Sequence, residues 1–161
     1  MTIHKSERKE SQFEVFSHAL KLRREIRALA QRNFGYKPKA RSYETEQQQE
    51  QRLNFESREL VKETDYLLDI LREITANIIF ANKIYPKTWA EYCERRLHQT
   101  KAIAECGRLS AELQYIIEDF GPDVNKFIPY DALIQKEINL LKAWRKSDNK
   151  SIPRLLDAPI K

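Results

Sequence analysis

Apolar residues recur along this chain at steps of three and four, and nowhere in the period of two that marks a half-buried strand. Val15, Ala19, Leu22, Ile26 and Leu29 form the first such stripe. Ser11 and Glu14 in "SQFE" have capping-box spacing before it, and Gly35 stands where a helix C′ glycine belongs. The spacing predicts a helix between them. Phe13, Phe16 and Leu20 make a second, shorter stripe on another face, read either as a wide core face or as an oligomer interface. A second helix is expected from about Ser57 to Asn82, with Leu60, Leu67, Leu71, Ile74 and Ile78 in phase. Opposite them Asp65, Asp69 and Glu73 line up as an acidic ridge, either a solvated face or a docking surface for a basic neighbour.

A third helix starts in "YPKTWAE", where Thr88 and Glu91 have capping-box spacing, and Gly121-Pro122 stops it after Phe120. Its apolar positions are Leu97, Ile103, Cys106, Leu109, Leu113, Ile116 and Phe120. The fourth helix follows "DVNKFIP" and keeps Tyr130, Ile134, Ile138, Leu141 and Trp144 in register, so Trp144 is expected to seal the end of a core. Four amphipathic helices with short links at 83–87 and 121–128 predict an all-α fold, an antiparallel up-down-up-down four-helix bundle. The helix 1–2 connector, about 36–56, is longer and more polar than such links usually are. Its second half can extend helix two, while "YKPKARS" reads as an exposed basic loop. Residues 1–150 are expected to form one domain. Residues 151–161, with Pro153 and Pro159, are expected to be a frayed or docking tail that cannot continue a helix.

Composition fits this outline. The chain of 161 residues has only 3 glycines and 6 prolines, and its straight-chain residues favour helices. No run approaches the ~20 apolar residues of a membrane span, and "MTIHKSERKE" lacks the apolar region of a secretory signal. The expectation is a soluble, cytoplasmic protein with no membrane partner. Cys93 and Cys106 fall on one predicted helix ~20 Å apart, too far to bridge, and are expected to be reduced core residues.

Charge changes the picture more than its total of +5 suggests. Residues 1–41 carry 11 Lys/Arg against 4 Asp/Glu, whereas residues 42–86 carry 5 against 9. Residues 87–121 carry 5 against 6, and residues 122–161 carry 8 against 5. Both ends are basic around an acidic middle, which is how a local attraction for phosphate arises without an extreme pI. The candidate nucleic-acid-binding residues are Lys21, Arg23, Arg24 and Arg27 on helix one, with Arg32 continuing the arc. Lys37, Lys39 and Arg41 follow in the loop, Arg95, Arg96 and Lys101 lie on helix three, and Lys142, Arg145, Lys146 and Lys150 end helix four. Solvated helices carry such residues routinely, and cations in a last turn also complement the helix dipole.

Candidate chemistry is sparse. There is no P-loop, nucleophile elbow or Gly-rich phosphate loop. A di-iron bundle site needs Glu-x-x-His pairs, whereas His98 has Arg95 at i−3 and Glu94 at i−4. His4 and His18 have no ligand partners in sequence. No catalytic residue, metal ligand or cofactor is expected, and the chain is read as a non-enzyme.

The segments "EYCERRLHQTKAIAEC", "ELQYIIEDFGPDVNKFIPY" and "LLKAWRKSDNK", within 74–150, together with residues 6–37, resemble the accessory variability determinants of diversity-generating retroelements. These are small four-helix proteins akin to those encoded in bacterial ribosomal-RNA intervening sequences. The resemblance implies a phage or bacterial helper protein without enzyme activity. It further implies a barrel-like homo-oligomer, a pentamer, that binds a reverse transcriptase and its template RNA or cDNA and supports mutagenic cDNA synthesis. Matching segments contain Arg23, Arg24, Arg27, Arg95, Arg96, Arg145 and Lys146, to which only the general role of cationic surface carries over. The long connector and the tail depart from shorter members. The rival reading is a purely protein-binding structural oligomer of phage or mobile-element origin.

Overall fold

A computed structural model describes residues 3–156, with side chains from Glu14 onward. Four long helices account for most of it: α1 (Ile3–Gln31), α2 (Glu46–Lys83), α3 (Trp89–Phe120) and α4 (Ile128–Ser147). A short α5 (Ile152–Leu156) closes the described chain. Each long helix packs against its neighbours in sequence, and α1 also packs on α4, which closes a four-helix bundle. Contacts between opposite chain directions fix the antiparallel order. Arg32 near the end of α1 donates to the Tyr130 hydroxyl at the start of α4 (2.7 Å), and Tyr36 meets the Phe120 ring edge-on. At the other end Arg95, early in α3, grips Asp148 just past α4.

The predicted stripes are the core. Val15, Ala19, Leu22, Ile26 and Leu29 of α1 are buried against Leu67, Leu71, Ile74 and Ile78 of α2, Cys106, Leu109 and Ile116 of α3, and Ile134 and Leu141 of α4. Trp144 is buried at the tail end, as its register implied. The turn after α1 has an unusual backbone, because Asn33, Phe34 and Gly35 all take positive φ (51°, 56° and 71°). Asparagine and glycine adopt that region cheaply, whereas a side chain like that of Phe34 costs ~1–2 kcal/mol there. Full burial of the Phe34 ring offsets this by an amount on the order of 1.5–3 kcal/mol.

Several boundaries differ from the sequence expectations. α1 already runs from Ile3, so Ser11 and Glu14 lie inside the helix and do not start it. The apolar stripe marks where the core begins, not where the helix does. α2 likewise begins at Glu46, with Thr45 and Gln48 forming the reciprocal capping box. The true connector is therefore 36–45, and its former second half is polar helix projecting beyond the apolar stripe. At α3 only half the predicted box forms: the Thr88 hydroxyl accepts the Glu91 N–H, but Glu91 accepts from the Lys87 N–H. Leu97 is 51% exposed and Cys93 is exposed, so neither is a core residue, whereas Cys106 is. Pro153 does not prevent a helix after residue 151, since a proline in a first turn forfeits no intrahelical bond. α5 docks Leu155 on its own chain and Arg154 on the Pro86 carbonyl.

Candidate nucleic-acid interface

α1 presents its core stripe inward, which forces Lys21, Arg24 and Arg27 outward. All three are exposed, and Arg23 is half-buried at the edge of the same face. None of the four has a hydrogen bond or ion pair among the described residues. Lys37, Lys39 and Arg41 follow in the connector and are exposed as well, so the first two basic groups form one territory running onto the connector end.

That loop is held by a residue the sequence reading passed over. Arg52 of α2 donates through Nε and Nη2 to both carboxylate oxygens of Glu44 (2.8 and 3.0 Å) and through Nη1 to Glu56 (3.3 Å). Its Nη2 also reaches the Lys39 carbonyl (2.9 Å). These bonds hold the Glu44 carboxyl below its usual range. Tyr36 donates to Glu56, and burial together with that bond pushes its hydroxyl up to about 12. Arg41 adds a long contact to Glu44 (3.8 Å). The only sequence signal was the i,i+4 pair Arg52–Glu56. Arg52→Ala is expected to speed tryptic cleavage after Lys39 and Arg41 several-fold while leaving the helical circular dichroism intact. An unchanged cleavage rate would mean the loop is held by something else.

The third basic group behaves differently. Arg95 is 5% exposed and fully engaged, with Asp148 and the carbonyls of Ala81 and Ile84 as partners, so it is not part of an accessible cationic surface. A guanidinium with five donors is suited to closing a helix junction of this kind. Arg96 is half-buried and donates to Tyr92 Oη (3.3 Å) and Asn149 Oδ1 (3.2 Å), and Arg145 donates to Thr100 Oγ1 (3.1 Å). Lys142, Lys146 and Lys150 are exposed and unpaired among the described residues. Lys101 is exposed too, but it is turned by about 100° from Thr100 around α3 and leaves that group.

Among the described residues the cations at the end of α4 and those of the connector stand apart. The α4 set and the connector set sit at opposite ends of a helix of 20 residues, ~30 Å apart. Between α1 and α4 the core holds a polar pair that sequence reading also missed: His18 Nδ1 and Glu137 Oε2 lie 2.6 Å apart, both side chains buried. Residues 119 positions apart give no local signal of such a pairing.

The proposed interface stripe is not presented as one surface. Phe16 packs partly buried against the core, Leu20 is 39% exposed among the α1 cations, and the Phe13 side chain lies outside the described residues. Asp65, Asp69 and Glu73 are exposed along α2, with Asp69 paired to Arg72. His98 bonds Asn77 (2.9 Å) and not Glu94. Among the described residues no group of three His, Cys, Asp or Glu could hold a metal ion, and no helix is long and apolar enough to cross a membrane. Compared with protein-family models, curated proteins and solved structures, the chain matches none.

Proposed function

We propose that the chain is a non-catalytic accessory protein that binds a reverse transcriptase and its template RNA through basic surfaces, in the manner of the retroelement helpers its segments resemble. The observation that carries the nucleic-acid part is the run of exposed cations from Lys21 to Arg41, where Lys21, Arg24, Arg27, Lys37 and Lys39 have no acidic partner among the described residues. A core scaffold has no need of such a run. Cations left unpaired on a folded surface attract a polyanion by releasing its counterions, with no base reading required. The polymerase and assembly as a homo-oligomer rest on the resemblance, the cytoplasmic setting rests on the composition, and the acidic ridge on α2 supplies a face suited to a basic neighbour.

Fluorescence anisotropy with labelled RNA across a salt series tests the surface. Wild-type affinity is expected to fall steeply with salt. The Arg24→Glu/Arg27→Glu variant is expected to bind more weakly, with the slope of log K against log salt reduced by roughly 0.7–0.9 for each phosphate that the variant no longer neutralises. Binding indifferent to both reversals would remove this surface. Absence of binding at any salt would favour the rival reading, a protein-binding oligomer that uses Leu20 and its surroundings. Co-purification with the polymerase of the same element tests the partner.

A further inference from the structure

The tail end carries a second feature of a different kind. Trp89, the first residue of α3, is 45% exposed, although it is stacked on Tyr92 at 5.1 Å with the rings 20° apart. Tyr92 itself is buried, and its hydroxyl donates to Asn149 Oδ1 (2.9 Å) while accepting from Arg96. One face of the indole is thus pinned to a locked ring, and the residue's remaining surface is open to solvent.

Trp89, Cys93, Arg96 and Thr100 follow one another at steps of four, three and four, and so share one face of α3. The bonds from Tyr92 and Arg96 to Asn149, and from Arg145 to Thr100, place that face beside α4. On α4 the matching steps are Lys142, Arg145 and Asn149, with Lys146 adjacent. No carboxylate stands on either stripe. Asp148, the nearest in sequence, is turned onto Arg95 and Gln99, Glu91 caps the helix start, and Glu94 is out of step with the stripe. From Trp89 to Thr100 the seam runs ~17 Å, with an aromatic platform at one end and cations along it.

We infer that this α3–α4 seam is a binding site for single-stranded nucleic acid, in which Trp89 stacks an unpaired base while Arg96, Lys142, Arg145 and Lys146 follow the backbone. The inference rests on the nucleic-acid reading above but adds a strand preference that the α1 surface does not have. Every base has a π-face to offer an indole, and paired bases inside a duplex keep theirs covered. Among the cations of helix α1 itself there is no exposed aromatic, so that face treats duplex and single strand alike; the exposed Tyr43 lies beyond it, next to Arg41 in the connector.

The test uses the full chain with a short oligouridine and a hairpin-free duplex RNA as separate probes. Oligouridine is expected to quench tryptophan fluorescence in the wild type, and because Trp144 is buried the quenched emission is that of Trp89. Trp89→Ala is expected to weaken oligouridine binding by roughly tenfold or more and leave duplex binding within about twofold, while Trp89→Phe retains most of the affinity. An Arg24→Glu/Arg27→Glu variant that still shows quenching would support two separate surfaces. If Trp89→Ala affects both probes equally or neither, or if the wild type binds duplex and not oligouridine, the seam is not a single-strand site and the broader reading stands. If the wild type binds neither probe, both fall.

Discussion

Replacing Glu137 with alanine is expected to cost about 2–4 kcal/mol of stability, from an orphaned neutral hydrogen-bond partner (~1–3 kcal/mol) together with the cavity left in the core. For a domain of this size the unfolding midpoint then falls by on the order of 10 °C. Glu137 is 0% exposed in the middle of α4, and its Oε2 lies 2.6 Å from His18 Nδ1. Alanine would strand the imidazole in an apolar surround and leave a cavity as well. The two partners already leave His18 Nε2 and Glu137 Oε1 without a hydrogen-bond partner, so the pair is not a well-satisfied network. Replacing both at once, His18→Leu with Glu137→Met, is therefore expected to recover most of the loss and to match or exceed the wild type. Thermal and denaturant unfolding of the two singles and the double read this directly. A Glu137→Ala protein as stable as the wild type would mean the pair does not exist as described.

The same pair sets a pH dependence. Burial pushes the Glu137 carboxyl up to about 8 and the His18 imidazole below its usual 6.5, so the carboxylic acid donates to a neutral ring. Among the described residues, Lys136 on α4, Lys21 and Glu14 on α1 and Cys106 on α3 interact with it electrostatically. A carboxyl raised by folding contributes stability that is present below its ordinary value, 4.5, and is lost as pH rises through about 8. An imidazole lowered by folding contributes stability that is present above 6.5 and is lost as pH falls. Between 4.5 and 6.5 the two trends oppose each other, and above 6.5 only the carboxyl trend is left. Stability from the pair is thus expected to fall from 6.5 toward 8, by at most ~1.4 kcal/mol per pH unit. The His18→Leu/Glu137→Met double should lose that alkaline slope.

What the sequence revealed and what it hid divide along one physical line. Periodicity reports burial, so Val15 to Leu29, Leu60 to Ile78 and Ile134 to Trp144 were all legible as core. Helix that buries nothing leaves no period, which is why the polar first turns of α2, held by the Thr45 box and the Arg52–Glu56 pair, were legible only as a segment able to extend helix two, with no fixed start. Charge counting located the cations but not their fate. Arg23 and Arg24 lie on a helix whose other faces are filled, while Arg95 has the same composition around it and is drawn into the interior by an aspartate 53 positions away. The convergence of separate basic groups was a tertiary statement that no window could test, and among the described residues the α4 and connector sets lie at opposite ends of α4. The seam beside Trp89 was hidden for the same reason, since its halves come from residues near 96 and near 145.

Arg95 gives the second large effect, and its sign separates scaffold from surface. Its Nε and Nη2 donate to both oxygens of Asp148 (2.7 and 3.1 Å), and its Nη1 donates to the carbonyls of Ala81 (3.2 Å) and Ile84 (2.9 Å). The guanidinium also lies 5.0 Å from the centre of the Trp144 ring. One side chain thus supplies donors to two carbonyls at the end of α2, the carboxylate past α4 and the face of the tryptophan that seals the core. Arg95→Ala leaves Asp148 and the Ile84 carbonyl short of donors, with Gln99 still reaching the carboxylate and the Ala81 carbonyl keeping the Ile84 N–H. The expected loss is about 3–5 kcal/mol. Arg95→Lys keeps the charge but offers a point donor where a planar fork is needed, and is expected to fall between alanine and wild type. A phosphate-binding arginine behaves in the opposite way: lysine replaces it with little loss of fold, and the deficit appears in the salt dependence of binding. For Arg95 the deficit is expected in the unfolding midpoint, with RNA affinity of the folded Arg95→Lys protein unchanged. A midpoint indifferent to Arg95→Ala, or an Arg95→Lys protein of full stability that no longer binds RNA, would return this arginine to the binding surface.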